Sequence, residues 1–299
     1  MRDGRRFSSK LLLFGEYGII LGSKALCLPF SNYSGVLRLS NGLDNEYAIS
    51  SNLSIRRLFE YIRKDSTLTP LFDIPALERD LNRGLFFDSS IPEGYGIGSS
   101  GALCAALYDR YCIVKEEDIF QLKSHLGRLE ALFHGKSSGI DPLVSYLDTS
   151  LIVDDNNQVR SANLNFSLQA VKFFLVDTGI KRSSNNLISN FIGYMQSAEN
   201  VESKQSLIDL TNKCVDNIAS GVDVRDTLTL LSDFQLRCMH SLIPPHLHQL
   251  WKEGITSGSY CLKICGAGGG GFLVGITSKP DYVRDTFAES NLNTLFFKM

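Results

Sequence analysis

Ile91-Pro92-Glu93-Gly94-Tyr95-Gly96-Ile97-Gly98-Ser99-Ser100-Gly101-Ala102 sets three alternating glycines and a serine pair ahead of a helical pattern. Alternating glycines let the backbone curl so that successive N–H groups point into one concavity, where they can hold phosphate oxygens. The helix that follows, expected over Ser100 to Cys112 with Leu103, Ala106, Leu107 and Tyr111 at three- and four-residue spacing, adds unpaired N–H groups and a favourable dipole for an anion. Gly96, Gly98 and Gly101 also satisfy GxGxxG. That fingerprint should leave a strand directly and meet an acidic residue closing a second strand ~20 residues on. Here Pro92 and Gly94 intervene and Glu116 to Asp118 open a helix, so a dinucleotide fold is disfavoured. A glycine-rich turn capped by serine is the plain structural alternative.

Downstream, Glu116 to Phe133 carries Ile119, Leu122, Leu126, Leu129 and Phe133 on one stripe, a second helix. It runs into Glu130-Ala131-Leu132-Phe133-His134-Gly135-Lys136-Ser137-Ser138-Gly139-Ile140-Asp141. Gly135-Lys136-Ser137 imitates the end of a P-loop, but Glu130 stands where the first glycine should be. Glu130, one turn before the helix exit, and Asp141, in the following loop, suit one metal ligand and one proton acceptor. Solvated carboxylates around a helix end fit the same residues, and His134 alone reads as a hydrogen-bonded structural histidine.

Two further segments flank these. Lys263-Ile264-Cys265-Gly266-Ala267-Gly268-Gly269-Gly270-Gly271-Phe272 places a glycine run between core strands, which a simple hairpin does not need; close approach to a ligand is one reason for it. Ser9-Lys10-Leu11-Leu12-Leu13-Phe14-Gly15-Glu16-Tyr17-Gly18 opens a buried strand with a lysine whose ammonium can project into a cleft.

The remaining chain reads as α+β. Strands are expected at Leu11–Phe14, Gly18–Leu21, Val36–Leu39, Leu85–Phe87, Thr149–Asp154, Ala170–Val176, Tyr260–Ile264 and Phe272–Ile276. A helix is expected over Ile55–Lys64, and helical spacing recurs at Leu187/Phe191/Met195, Leu207/Leu210/Cys214/Ile218, Leu228/Leu231/Phe234/Cys238 and Leu247/Leu250/Trp251. Asn156–Leu168 is the expected connection between an N-terminal domain of residues 1–160 and a C-terminal domain of residues 161–299. With 43% hydrophobic and 21% charged residues, the composition excludes a disordered or fibrous chain. A net charge of -2, from 30 Lys+Arg against 32 Asp+Glu, gives no excess positive charge for nucleic acid or anionic membranes. Seven scattered cysteines without zinc-ligand spacing, and no signal-like or membrane-spanning stretch, point to reduced thiols in a cytoplasmic protein.

Taken in order, the four segments resemble the GHMP kinase superfamily: Lys10–Gly22 its N-terminal motif, Pro92–Ala102 its ATP-phosphate loop, Gly266–Gly271 its C-terminal glycine motif. The resemblance implies an N-terminal domain similar to ribosomal protein S5 domain 2, a ferredoxin-like C-terminal domain, and an active site between them. Within the superfamily the mevalonate kinases match best, through Glu130, His134-Gly135, Ser138-Gly139-Ile140-Asp141 and Asp177-Thr178-Gly179 with Arg182-Ser183-Ser184. Gly15-Glu16-Tyr17, where Gly-Glu-His is usual, is closer to phosphomevalonate kinases, and Gly101 replaces the usual Ala.

The implied reaction transfers the γ-phosphoryl group of ATP to a small-molecule alcohol, foremost mevalonate, in isoprenoid precursor synthesis. A phosphomevalonate or sugar kinase, and a non-catalytic ligand sensor on the same fold, are the alternatives. By the resemblance, Gly94, Gly96, Gly98, Ser99, Ser100 and Gly101 hold the α- and β-phosphates, and Ser100 and Glu130 ligate Mg²⁺. Asp141 accepts or orients the substrate hydroxyl proton; Lys10 polarises that hydroxyl and favours the ionised form of Asp141. Glu16, Tyr17, His134, Thr178, Gly268, Gly269 and Gly270 lie around the substrate or close over the transferring group. A homodimer is the family-level expectation for assembly.

Overall fold

The computed structural model describes residues 4–40, 45–162, 164, 171–181 and 185–298. In chain order the elements are β1 (Phe7–Phe14), α1 (Gly18–Leu21), β2 (Ala25–Leu39), α2 (Glu46–Lys64), α3 (Ile74–Asn82), β3 (Leu85–Ser89), α4 (Ser99–Tyr111), α5 (Ile119–His134), α6 (Ile140–Leu147), β4 (Leu151–Val153) and β5 (Val159–Ser161), followed by β6 (Lys172–Asp177), α7 (Asn185–Met195), α8 (Val201–Ala219), α9 (Arg225–Cys238), α10 (His248–Ser257), β7 (Tyr260–Ile264), β8 (Phe272–Thr277), α11 (Pro280–Glu289) and β9 (Thr294–Phe297). They form two compact units. The first comprises Met1–Leu11, Pro29–Pro92 and Ile97–Thr149; the second comprises Leu12–Leu28, Glu93–Gly96 and Ser150–Met299.

In the first unit the second half of β2 pairs antiparallel with β3, Leu37 opposite Phe87. The 3.6-residue stripe of α2 buries Ile55, Leu58, Phe59 and Ile62. Helix α4 differs: Gly101 through Tyr108 are all buried, and its small residues let α5 and α6 approach from more than one side. Two polar devices fix its far end. Buried Asp80 on α3 accepts from Arg110 Nη2 at 2.8 Å and the Tyr111 hydroxyl at 2.9 Å, and Lys115 Nζ donates to the carbonyls of Tyr108 and Cys112. Lys115 thereby adds a donor at the helix terminus, where Tyr108 O also accepts from Cys112 N–H at 3.0 Å.

In the second unit an antiparallel sheet runs in the order β7-β8-β6-β9, with α9 and α10 against β7 and α8 against α9. Every residue of β7 and β8 is buried, so the strands show continuous rather than alternating apolar character. The first half of β2 pairs with β4, and β4 with β5. Trp251 of α10 is fully buried and donates through Nε1 to Ser232 Oγ on α9 at 2.8 Å.

Several expectations change. Gly18–Leu21 is one helical turn, closed by left-handed Gly22, rather than a strand; four apolar residues carry no period long enough to tell the two apart. The expected connection Asn156–Leu168 begins with a strand, because Asp154 Oδ1 accepts from the N–H groups of Asn156 and Gln158 and turns β4 back into β5; residues 163 and 165–168 lie outside the described set. The sequence pattern does not predict helices α3, α6 and α11. Each carries a proline in its first turn, where the missing N–H is not needed but the sequence reads as loop. The cysteines are free, all buried except half-buried Cys238. Among the described residues, no helix is long and apolar enough to cross a membrane.

Candidate active site

In the first unit, Gly98 caps α4 in the left-handed conformation (φ 78°) and offers no side chain to the helix N-terminus. The first-turn N–H groups of Ser99, Ser100 and Gly101 are therefore directed at whatever anion approaches. Lys10 lies in the middle of β1, not at its opening as the sequence suggests. Its own N–H donates to Ile97 O at 2.8 Å, which ties the strand to the glycine loop. Its Nζ stands 2.8 Å from Asp141 Oδ1. The lysine is buried whereas the Asp141 side chain keeps 33% of its surface open. Asp141 sits in the first turn of α6, where the helix dipole favours a carboxylate. Gly101 permits this approach: a Cβ there would lie 2.8 Å from Pro142 N and 3.0 Å from Asp141 Cβ.

Glu130, in the last turn of α5, is 3% exposed, so the reading of a solvated carboxylate fails for it. Oε1 accepts from Ser100 Oγ at 3.0 Å and Oε2 from Ser137 Oγ at 2.5 Å. Burial, and next the negative charge of Asp141, push its pKa up to about 7, against the opposing pull of Ser137, Ser100 and Lys10. His134 is exposed, with Nε2 at 3.0 Å from Ser100 Oγ. The structure therefore brings Lys10, Gly98, Ser99, Ser100, Gly101, Glu130, His134 and Asp141 into one neighbourhood of the first unit. Ser137 belongs with them; sequence reasoning met it only as part of a failed P-loop match.

This donor set bears on a metal. No group of three or more His, Cys, Asp or Glu able to hold an ion occurs among the described residues. A carboxylate and a hydroxyl in contact are hard oxygen donors, too few for a cage. They fit Mg²⁺, which takes one or two carboxylates and completes its shell with substrate phosphates and water.

The other expected site residues fall in the second unit. Glu16 and Lys263 form a sealed ion pair, with Lys263 Nζ at 2.5 Å from Glu16 Oε1 and side-chain exposures of 2% and 0%. The Tyr17 hydroxyl donates to Ala267 O, and its ring meets Phe191 edge-on at 4.7 Å. Thr178 Oγ1 donates to Gly271 O at 2.7 Å. The glycine run follows from the chain's own packing. A Cβ on Gly268 would lie 2.6 Å from Leu242 O, and one on Gly270 would lie 2.6 Å from Ile180 O. Gly269 N–H donates to Leu242 O at 2.7 Å. Gly94 and Gly96 both take positive φ (83° and 75°), and the ring of Tyr95 between them packs at a tilt against Phe272, centroids 5.1 Å apart. Lys263 was missed as a partner for Glu16, although a lysine between Leu262 and Ile264 in an apolar strand signals a buried counter-charge. Arg182, Ser183 and Ser184 lie outside the described residues.

Residues 55–148 match the family described as GHMP kinases N terminal domain. The chain is 25% identical over 281 residues to a mevalonate kinase of Archaeoglobus fulgidus, covering 89% of each protein. It is 26% identical over 295 residues to a mevalonate kinase of Pyrococcus horikoshii, covering 89% of this chain and 85% of that one. Among solved structures, L. major mevalonate kinase in complex with R-mevalonate superposes with a TM-score of 0.66 at 17% identity, over 95% of this chain and 89% of that one. Residues 55–148 thus match the GHMP kinase N-terminal domain, the near-full-length relatives are mevalonate kinases, and the fold is shared with mevalonate kinases of known structure.

Proposed function

We propose that this protein is an ATP-dependent kinase that transfers the γ-phosphoryl group to the hydroxyl of mevalonate. The observation that carries the reading is the buried Lys10 held 2.8 Å from the half-open Asp141, beside the uncapped start of α4. Phosphoryl transfer depends on positioning and on neutralising phosphate charge, with little covalent work for the protein. ATP supplies the phosphoryl group, and Mg²⁺ bound with it neutralises phosphate charge.

The N–H groups at the start of α4 bind phosphate oxygens, as the glycine loop ahead of it does. Ser100 and Glu130 are assigned to the metal, for which Ser137 orients the second oxygen of Glu130. Asp141 accepts the proton of the attacking hydroxyl or holds it in line. Lys10 donates to that hydroxyl and compensates the charge of Asp141. Seven free cysteines suit the reducing cytoplasm.

Tyr17 favours a second reading, phosphomevalonate as acceptor, because Gly15-Glu16-Tyr17 departs from the Gly-Glu-His of mevalonate kinases. A ligand sensor would be expected to lose Asp141 or the glycine loop, and both are present. The deciding experiment measures ATP consumption with mevalonate, phosphomevalonate and a panel of sugars. A kcat/KM for mevalonate well above the others is expected. Preference for phosphomevalonate would move the assignment to the second reading, and turnover of none would remove both.

A further inference from the structure

A cavity of about 450 Å³ opens on the second unit between the end of α9 and the start of α10, lined by Leu236, Arg237, His240, His248, Gln249 and Lys252. It is an open surface depression: Arg237, His240, Gln249 and Lys252 of its lining are exposed, so a ligand there stays partly in solvent. Its chemistry is one-sided: an arginine, a lysine and two imidazoles, with no carboxylate in the lining. Two carboxylates flank the lining: Asp233, one turn back on α9, whose Oδ2 accepts from Arg237 Nε at 2.8 Å, and Glu253, next to Lys252 on α10, whose Oε1 accepts from the Tyr282 hydroxyl at 2.8 Å. The Asp233 bond leaves the four N–H donors on the terminal nitrogens of Arg237, a fork suited to phosphate. The histidine rings are 5.8 Å apart.

The wall of this cavity is mechanically tied to the glycine run. His248 Nε2 lies 3.1 Å from His240 O and 3.0 Å from Ile243 O. A carbonyl only accepts, so Nε2 carries the proton and the ring staples the 3₁₀ turn His240–Leu242. Leu242 O, within that staple, is the acceptor for Gly269 N–H and the atom a Cβ on Gly268 would strike. One face of the turn thus lines the cavity while its backbone holds Gly268 and Gly269.

We infer that this cavity is an effector site for a small phosphate-bearing anion, whose occupancy is transmitted through the His240–Leu242 turn to the glycine run. Arg237 and Lys252 supply the charge, Gln249 and His240 supply further hydrogen bonds while His248 holds the wall, and the spare volume admits an organic group attached to the phosphate. The cavity stands without the kinase assignment; only an effect on phosphoryl transfer rests on it.

The test uses the full chain with ¹⁵N-labelled histidine rings and glycine amides, titrated with inorganic pyrophosphate at constant ionic strength without ATP or Mg²⁺. The His240 and His248 signals should move saturably, and the Gly269 amide should move with the same midpoint. The double variant Arg237→Ala/Lys252→Ala should weaken that affinity roughly tenfold, as expected for losing two exposed charge contacts. Unmoved His240 and His248 signals, or equal affinity in the double variant, overturn the site. A Gly269 signal that stays still while the histidines move overturns the coupling. His134, beside Ser100, reports separately: failure of ATP to move it counts against the nucleotide assignment and leaves the pyrophosphate result intact.

Discussion

Two lysine–carboxylate pairs, one in each unit, differ in a way that separates chemistry from architecture. Lys263 and Glu16 are both sealed, and Lys263 Nζ spends a further donor on Ile264 O while lying 5.7 Å from the Phe14 ring centre. Lys10 is nearly as buried, at 6% side-chain exposure, but its partner Asp141 is a third open. The two charges of the sealed pair are matched inside the protein, where they tie β7 to the Gly15–Glu16 segment. The pair with one open member can admit a hydroxyl between protein and solvent without first breaking the core.

The contrast is easiest to break through turnover. Asp141→Asn keeps the shape and removes the proton acceptor, so kcat should fall about 10²–10⁴-fold, the usual contribution of a positioned acid or base. ATP affinity, measured by calorimetry, should barely change. Near-normal kcat would place Asp141 with Glu16, as architecture.

The sealed pair should respond in stability instead. Lys263→Met leaves Glu16 charged and unpartnered, and should cost about 3–5 kcal/mol in urea unfolding. Adding Glu16→Leu should recover much of that loss, because the stranded charge is then gone. A single variant as stable as the parent would show that the pair is not closed to water.

Glu130 sharpens the comparison through pH. Its folded pKa of about 7 lies above the unfolded value near 4.5, so between those values the folded state binds more protons than the unfolded one. Its contribution to stability therefore declines as pH rises from about 4.5 to 7 and stays lost above. Glu130→Gln should make the metal-free protein more stable by roughly 1–3 kcal/mol at pH 8, a difference that shrinks to nothing below pH 4.5. The same variant should need more Mg²⁺ for half-maximal activity. A stability difference independent of pH would mean that Glu130 is solvated.

An effect of similar size is expected for Gly101→Ala. The added methyl meets the backbone at Pro142 N (2.8 Å) and Asp141 C (2.9 Å), so α6 must shift, at a cost of about 1–3 kcal/mol. It should lower kcat by displacing Asp141 more than it raises the KM for ATP. Unchanged kcat would show that α6 gives way freely.

The elements that were legible early are those whose signal is local. Helices α4 and α5 announce themselves by apolar spacing, and Asp118 caps α5 by accepting from the N–H groups of Phe120 and Gln121. β6, β7 and β8 announce themselves as apolar runs between turns. By contrast α6, which carries Asp141, hid behind Gly139 and Pro142, whose loop-forming character is overridden once the helix start packs on Gly101. The one-turn α1 and the short β5 were missed because three or four residues hold too little periodicity to decide between states.

At the site, the ordered motifs named the residues, since glycine, serine and acid types at set separations are a property of the chain read end to end. Their roles were decided in three dimensions. Nothing local says that Glu130 is buried and Asp141 half open, or that Glu16 is neutralised by a lysine from β7. Nor does the chain's own order reveal that the glycine run is required by the carbonyls of Leu242 and Ile180. Desolvation and Coulomb interaction depend on what surrounds a group, and that environment is assembled from segments far apart in the chain, so it exists only after folding.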